Sequence, residues 1–194
     1  MHEEFVGLRD YRPGDPIQRI HWKSFARVGN PVVREYQDEF FERRALILDT
    51  FSAHRDPEAF EEAVSVAASF ACTLDTQESL LDLLFVGEQS HCYTAGRGQL
   101  PAGHLLEVLA GVRACADKPF ESLAQSVFAR RVELSAAIVI LLAWDEPRSE
   151  LVRRLRAGGV PTLALLVAAE APPDRPALLH LLQPGRIQEG LARL

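Results

Sequence analysis

The sequence predicts an α/β fold: a doubly wound, mostly parallel sheet with helices on both faces, preceded by a distinct N-terminal motif segment. Three observations predict it. From Ala45 onward, short apolar runs alternate with segments of helical period. The runs are apolar at successive positions, as strands of a parallel sheet buried on both faces must be. Residues 5–37, in contrast, are rich in Arg, Tyr, Trp, Pro and Gly. Two parts are therefore expected, 1–44 and 45–194.

In the first part, Pro13-Gly14 predicts a turn. Asp15 then has the pattern of an N-cap, with Pro16 at the first helical position. The helix is expected to run to Arg27 and to stop at Gly29-Asn30. On it, Ile17, Ile20, Ser24 and Val28 share a face, flanked by His21 and Phe25. Arg19, Lys23 and Arg27 line an adjoining face at i, i+4 and i+8, and Trp22 projects away from both. Pro31 to Tyr36 reads as a strand leading into the acids Asp38, Glu39 and Glu42.

In the second part, Ala45 to Phe51 (ALILDTF) is a strand with a polar end. Asp56-Pro57 caps a helix over 57–74, whose apolar positions Phe60, Ala63, Val64, Ala67, Ala68, Ala71 and Leu74 keep a 3.6-residue period. Leu80 to Val86 and His91 to Thr94 read as strands, and Gly96, Gly98, Pro101 and Gly103 mark a loop. Helices follow at Leu105 to Ala116 and Ser122 to Arg131. Ala136 to Trp144 is the strongest strand, and Leu151 to Ala157 lies in a helix ended by Gly158-Gly159. Val160 to Ala168 is the last clear strand, before a looser tail with one or two short helices.

Composition narrows the function. The 194 residues are 47% hydrophobic and 25% charged, which excludes disordered and fibrous classes. A net charge of −6 argues against nucleic acid as partner. Cys72, Cys92 and Cys115 form no CxxC pair and read as buried free thiols of a reducing compartment. No apolar run approaches the ~20 residues of a membrane span.

Ligands of open α/β sheets bind beyond the carboxyl ends of the strands, where strand order reverses. Asp49 and Asp145 each close a strand, so neighbouring strands would bring both carboxylates into one crevice. With Thr50 and Ser52 nearby, such a pair can hold Mg²⁺. Asp145, before Glu146-Pro147, also fits a helix N-cap. The stretch after the first strand, DTFSAHRDP, has no glycine, which argues against nucleotide binding through a Rossmann or Walker loop. HExxH and GxSxG are absent. His91-Cys92 would point to opposite faces of a strand, and His54, His104 and His180 have no evident partners. For Arg19, Lys23 and Arg27 two readings stand. They are a solvated face paired with Asp38, Glu39 and Glu42, or, with Trp22, a docking surface of residue types favoured at hot spots.

The run GLRDYRPGDPIQRIHWKSFARVGNPVVREYQ closely resembles the signature of the DUF58 family, through Gly7, Arg9, Tyr11, Gly14, Asp15, Arg19, Ile20, Trp22, Ala26 and Arg27. The resemblance implies a von Willebrand factor A-like domain after the motif, with no established catalytic residues. It also implies membrane helices upstream of the motif, a soluble part on the cytoplasmic face of the inner membrane, and a MoxR-type AAA+ ATPase as partner in assembly or chaperone-like tasks. The A-type metal site, Asp-x-Ser-x-Ser with a distant threonine and aspartate, is matched here by Asp49 and, later, Asp145. Phe51 and Ala53 occupy its serine positions, Ser52 is out of phase, and Thr94 is the candidate threonine.

The leading expectation is a non-enzymatic interaction domain docking through Arg19, Trp22, Lys23 and Arg27 or through the crevice at Asp49 and Asp145. Gly7, Arg9, Tyr11, Gly14 and Asp15 would be structural, with Asp15 paired to Arg9 or Arg19. The alternatives are a Mg²⁺-dependent module using Asp49, Ser52 and Asp145, and a hydrolase using Asp49, Asp145 and His54.

Overall fold

The computed structural model describes residues 3–38, 42–51, 56–74, 79–96 and 101–193. The chain forms two compact units, Met1–Phe41 and Glu42–Leu194.

The first unit is an antiparallel ribbon of β1 (Glu3–Asp10) and β2 (Val32–Asp38), with a register shift between Phe5 and Gly7. Between the strands lie a 3₁₀ turn, Ile17–Arg19, and helix α1 (Trp22–Val28). The single helix expected from Asp15 to Arg27 is therefore broken. Ile20 is extended, with ψ 129°, and bridges Val33 of β2, while the His21 N–H donates to the Val32 carbonyl at 2.9 Å. The carboxylate of Asp15 does not cap a helix, because it is held by Arg9 and by the Arg12 N–H. The strand thus takes the two residues a continuous helix would need. Gly29, at φ 80°, ends α1 in the left-handed conformation that glycine adopts without penalty.

The second unit is a six-stranded sheet in the order β5-β4-β3-β6-β7-β8. Its strands are β3 (Glu42–Leu48), β4 (Ser79–Val86), β5 (Ser90–Ala95), β6 (Ala136–Leu141), β7 (Thr162–Val167) and β8 (Leu179–Leu182). All neighbouring pairs are parallel except β4 with the edge strand β5. The fold class is thus the doubly wound α/β sheet that the apolar runs predict. Alternation along each strand divides the core. Ala45, Ile47, Leu84, Val86, Val139 and Leu141 pack with α4 (Glu121–Phe128) and α5 (Glu146–Ala157). Leu46, Leu48, Leu83, Phe85, Ile140 and Leu165 pack with α2 (Pro57–Thr73) and α3 (Ala102–Ala110). A short helix, α6 (Ile187–Leu191), closes the chain.

Several boundaries differ from expectation: β3 spans Glu42–Leu48 rather than Ala45 to Phe51, α4 ends at Phe128 rather than Arg131, and β7 spans Thr162–Val167 rather than Val160 to Ala168. Helix α3 begins at Ala102 and ends at Ala110, and residues 112–116 run on irregularly. Strand β6 stops at Leu141, because the Leu142 N–H is taken by the Asp49 carboxylate instead of the ladder. The tail contributes β8, parallel to β7. Of the cysteines, Cys115 is buried and Cys92 half-buried, but Cys72 is exposed, since the covered face of α2 ends at Ala71. Burial, then the charge of Asp82, pushes the Cys92 thiol up.

One ion pair fastens the amino ends of the central strands. Asp82 of β4 is fully buried and receives Arg43 of β3 through Nε at 2.7 Å and Nη2 at 3.3 Å. Thr94 of β5 donates its hydroxyl to the same carboxylate at 2.6 Å. Arg43 also reaches Glu133, at 2.7 Å. Removing one partner of such a pair strands the other in the core. Arg43→Ala, which leaves the buried Asp82 carboxylate without its cation, is expected to lower the unfolding free energy by about 3–5 kcal/mol, measured by urea denaturation. Thr94→Val is expected to cost about 1.5–3 kcal/mol in the same assay, the value of one hydrogen bond to a charged group.

Candidate functional site

The crevice that the sequence singles out lies where the sheet reverses direction. The chain leaves β3 for α2 and β4 on one side, and leaves β6 for α5 and β7 on the other. Because β3 and β6 are neighbours, Asp49 and Asp145 do come to the same sheet end. What lies between them is a side chain that the sequence reading did not single out, Arg148.

Arg148 sits in the first turn of α5 and is itself buried. Its Nε donates to Asp49 Oδ2 at 2.6 Å and its Nη2 to Asp49 Oδ1 at 3.2 Å. Its Nη1 donates to Asp145 Oδ2 at 2.5 Å. The guanidinium lies 4.6 Å from the ring centroid of Phe120, which in turn meets Phe51 edge-on. Burial opposes the charge on Arg148, but hydrogen bonds and charges of Asp49 and Asp145 outweigh it and hold the group above its ordinary value. Asp145 also caps α5, accepting the Arg148 N–H at 3.2 Å, so the cap reading of that residue holds.

Asp49 is fully buried and its carboxylate is saturated. Oδ1 accepts from the Phe51 N–H at 2.9 Å and from Arg148; Oδ2 accepts from the Leu142 N–H at 3.1 Å and from Arg148. A carboxylate has about four acceptor positions, and all four are used. The expected Mg²⁺ site at Asp49, Ser52 and Asp145 therefore does not fit: a cation would have to displace a guanidinium already paired to both aspartates. Ser52 and His54 lie outside the described residues, and Thr94 is engaged with Asp82 at the opposite end of the sheet. Next to Asp49, the buried Thr50 hydroxyl donates to the Val86 carbonyl at 2.6 Å, and its own carbonyl accepts the Cys115 N–H at 2.9 Å. These bonds tie the ends of β3 and β4 to the irregular segment after α3.

The motif unit holds the other candidates. Arg9 and Asp15 form a two-pronged pair, Nη1 to Oδ2 and Nη2 to Oδ1, both at 2.7 Å. The Arg12 N–H adds a third bond to Asp15 at 2.8 Å, closing the turn in which Gly14 has φ 109°. Arg9, not Arg19, is thus the partner of Asp15. Tyr11 is half-buried, and its N–H bonds the Pro31 carbonyl at 3.0 Å. Gly7 follows the register shift in β1, and nothing lies within 4 Å of a Cβ placed there. Arg19 falls in the 3₁₀ turn, while Trp22, Lys23 and Arg27 are on α1, so the three cations do not share one helical face. All four side chains are exposed, and Trp22 meets Phe25 edge-on at 6.0 Å.

The Arg9 hydrogen bonds, then the Arg12 N–H, bring Asp15 down from 3.8 to about 2. Its folded value lies below its unfolded one, so the stability it adds is complete above pH ~4 and is lost as pH falls toward ~2. In a Trp144→Phe background, which leaves Trp22 as the sole tryptophan, fluorescence is expected to change across that window. Asp15→Asn is expected to be less stable at neutral pH and to show no transition there.

Comparison with known proteins bears on the fold and the family. A curated relative, "Uncharacterized protein YeaD" of Bacillus subtilis (strain 168), is 28% identical over 120 residues, which are 62% of this chain and 29% of that protein. The chain thus spans less than a third of that relative. Among solved structures, the von Willebrand factor type A protein from Catenulispora acidiphila superposes with TM-score 0.56 at 10% identity, over 84% of this chain and 43% of that one. Manganese-loaded TRAP protein of Plasmodium vivax gives 0.52 at 12% identity, over 79% and 72%. These likenesses show the fold, a von Willebrand factor A-type α/β sheet. The family described as "Protein of unknown function DUF58" matches residues 7–165, so the chain belongs to the DUF58 family.

Proposed function

We propose that this chain is a non-enzymatic protein-interaction domain, and that its motif unit carries the docking surface. The observation that supports this reading is the surface of that unit. Ile17, Trp22 and Val28 are 66%, 57% and 67% exposed, a large apolar display for so small a unit. Among the described residues of the unit, Val33 is the buried hydrophobic. A two-stranded ribbon gains stability by covering such groups. From Pro16 to Pro31 the sequence holds Arg19, Lys23 and Arg27 and no acid. Exposed Trp and Arg beside apolar residues form the composition of an interface centre, and the local charge selects an acidic partner face.

The crevice supports the same reading from the other side. Its charged groups are satisfied by one another, leaving the carboxylate of Asp49 with no lone pair for a substrate or a metal. The manganese named for the Plasmodium protein is therefore not carried over. In the full-length protein we place this domain on the cytoplasmic side of a membrane anchor, working with a MoxR-type AAA+ ATPase.

The test is direct binding between the domain and the purified MoxR-type ATPase of the same organism, by calorimetry. Trp22→Ala is expected to weaken binding at least tenfold, about 1.4 kcal/mol. The triple change Arg19→Glu, Lys23→Glu, Arg27→Glu is expected to abolish it while leaving the melting temperature of the α/β unit in place. Unchanged affinity in both variants refutes the docking surface; no binding by wild type refutes the partner.

A further inference from the structure

We infer that Arg148 is a built-in substitute for a divalent cation at the end of the sheet, making this domain independent of metal ions. The inference does not rest on the interaction reading. Its ground is the arrangement of charge. Two aspartates from adjacent strand ends converge at the reversal point of the sheet, a pattern that suits a cation bound by one or two carboxylates and water. The side chain found between them supplies one positive charge and meets three of their four oxygens.

Two features show that the position of Arg148 is dictated by these carboxylates and not by its own helix. It lies in the first turn of α5, where the helix dipole disfavours a cation and favours an anion. It is also 5% exposed, although Arg is almost never fully buried unless it is paired. The pairing with Asp49 and Asp145 offsets both costs. The face of Phe120 completes the cage and suits the flat guanidinium, a contact a hydrated metal ion would not make. In this arrangement Arg148 does the work of a metal in three respects. It neutralises the buried Asp49, joins the end of β3 to the Asp145 cap, and fixes the start of α5.

The consequence is a latent cation site that appears only when the arginine is removed. The experiment compares thermal unfolding of wild type, Arg148→Ala and the double variant Asp49→Asn/Arg148→Ala, each in EDTA and in millimolar Mg²⁺ or Mn²⁺. Wild type is expected to melt at the same temperature in all three solutions. Arg148→Ala is expected to melt about 10 °C lower in EDTA, from the stranded Asp49 charge. It is expected to recover several degrees with Mg²⁺ or Mn²⁺, and the double variant, lacking that charge, to gain nothing from either ion. A variant that folds only when the cation is present supports the inference equally. Arg148→Gln keeps an amide donor near Asp49 without the charge and serves where Arg148→Ala does not fold; the same recovery is expected of it. The inference is overturned if wild type gains stability from the cations in a saturable way. It is also overturned if Arg148→Ala melts like wild type in EDTA, or if neither variant responds to Mg²⁺ or Mn²⁺.

Discussion

The second unit is organised around the buried guanidinium of Arg148. A carboxylate with no exposure, Asp49, sits at the junction of β3, β6 and α5, and its charge must be met inside the protein. Meeting it fixes several things together. The Leu142 N–H leaves the β6 ladder to bond Asp49, which ends that strand. The chain then turns so that Asp145 caps α5 and delivers Arg148 back to Asp49. Helix α5 carries Leu151, Val152 and Leu155 into the core, so its orientation decides which side chains fill that face. Among the described residues, no buried side-chain nitrogen or oxygen lacks a partner, as such a network requires.

The same device appears at the other end of the sheet with a different emphasis. Asp82 is equally buried, but its arginine comes from the neighbouring strand and is only partly covered. Arg43 joins adjacent strands β3 and β4 and continues outward to Glu133, so that pair aligns the entry of the sheet. Arg148 joins strand to helix and holds the exit. In the motif unit Arg9 and Asp15 form a third such pair, at a more exposed position. There it closes a turn and diverts the chain from helix, leaving Ile20 and His21 to pair with β2.

Much of the architecture was legible because it is written locally. The runs ALIL, AAIVIL and TLALLV announce two-sided burial, and the caps at Asp56 and Asp145 mark the starts of α2 and α5 as their sequences suggest. What was not legible depends on partners far along the chain. Ile20 has a helical neighbourhood in sequence, and only Val33 across the ribbon makes it extended. Arg148 meets Asp49 from 99 positions away and Asp82 meets Arg43 across 39, separations that no periodicity reports. β1 went unread for another reason: none of its described side chains is buried, so no apolar alternation marks its sequence. A clue to Arg148 was nonetheless present. An arginine in the first turn of a helix works against the dipole, and such a placement calls for a nearby anion. The two strand-end aspartates, read as metal ligands, were that anion.

The electrostatics of the two units explain why a chain of net charge −6 can still offer a basic surface. Charges separated by more than about 8–10 Å are largely screened at physiological salt, so a partner in contact responds to the nearest groups rather than to the total. In the motif unit the nearest groups are Arg19, Lys23 and Arg27, in a stretch without acids, while Asp15 is already neutralised by Arg9. In the α/β unit the buried acids are likewise neutralised from within, by Arg43 and Arg148. Internal pairing thus removes the strongest local charges from the fold's interior, while the exposed cations of the motif lie in a stretch of sequence that carries no acid. A docking surface on that motif would therefore act chiefly through contact, with its salt dependence set by three residues and its depth by Trp22.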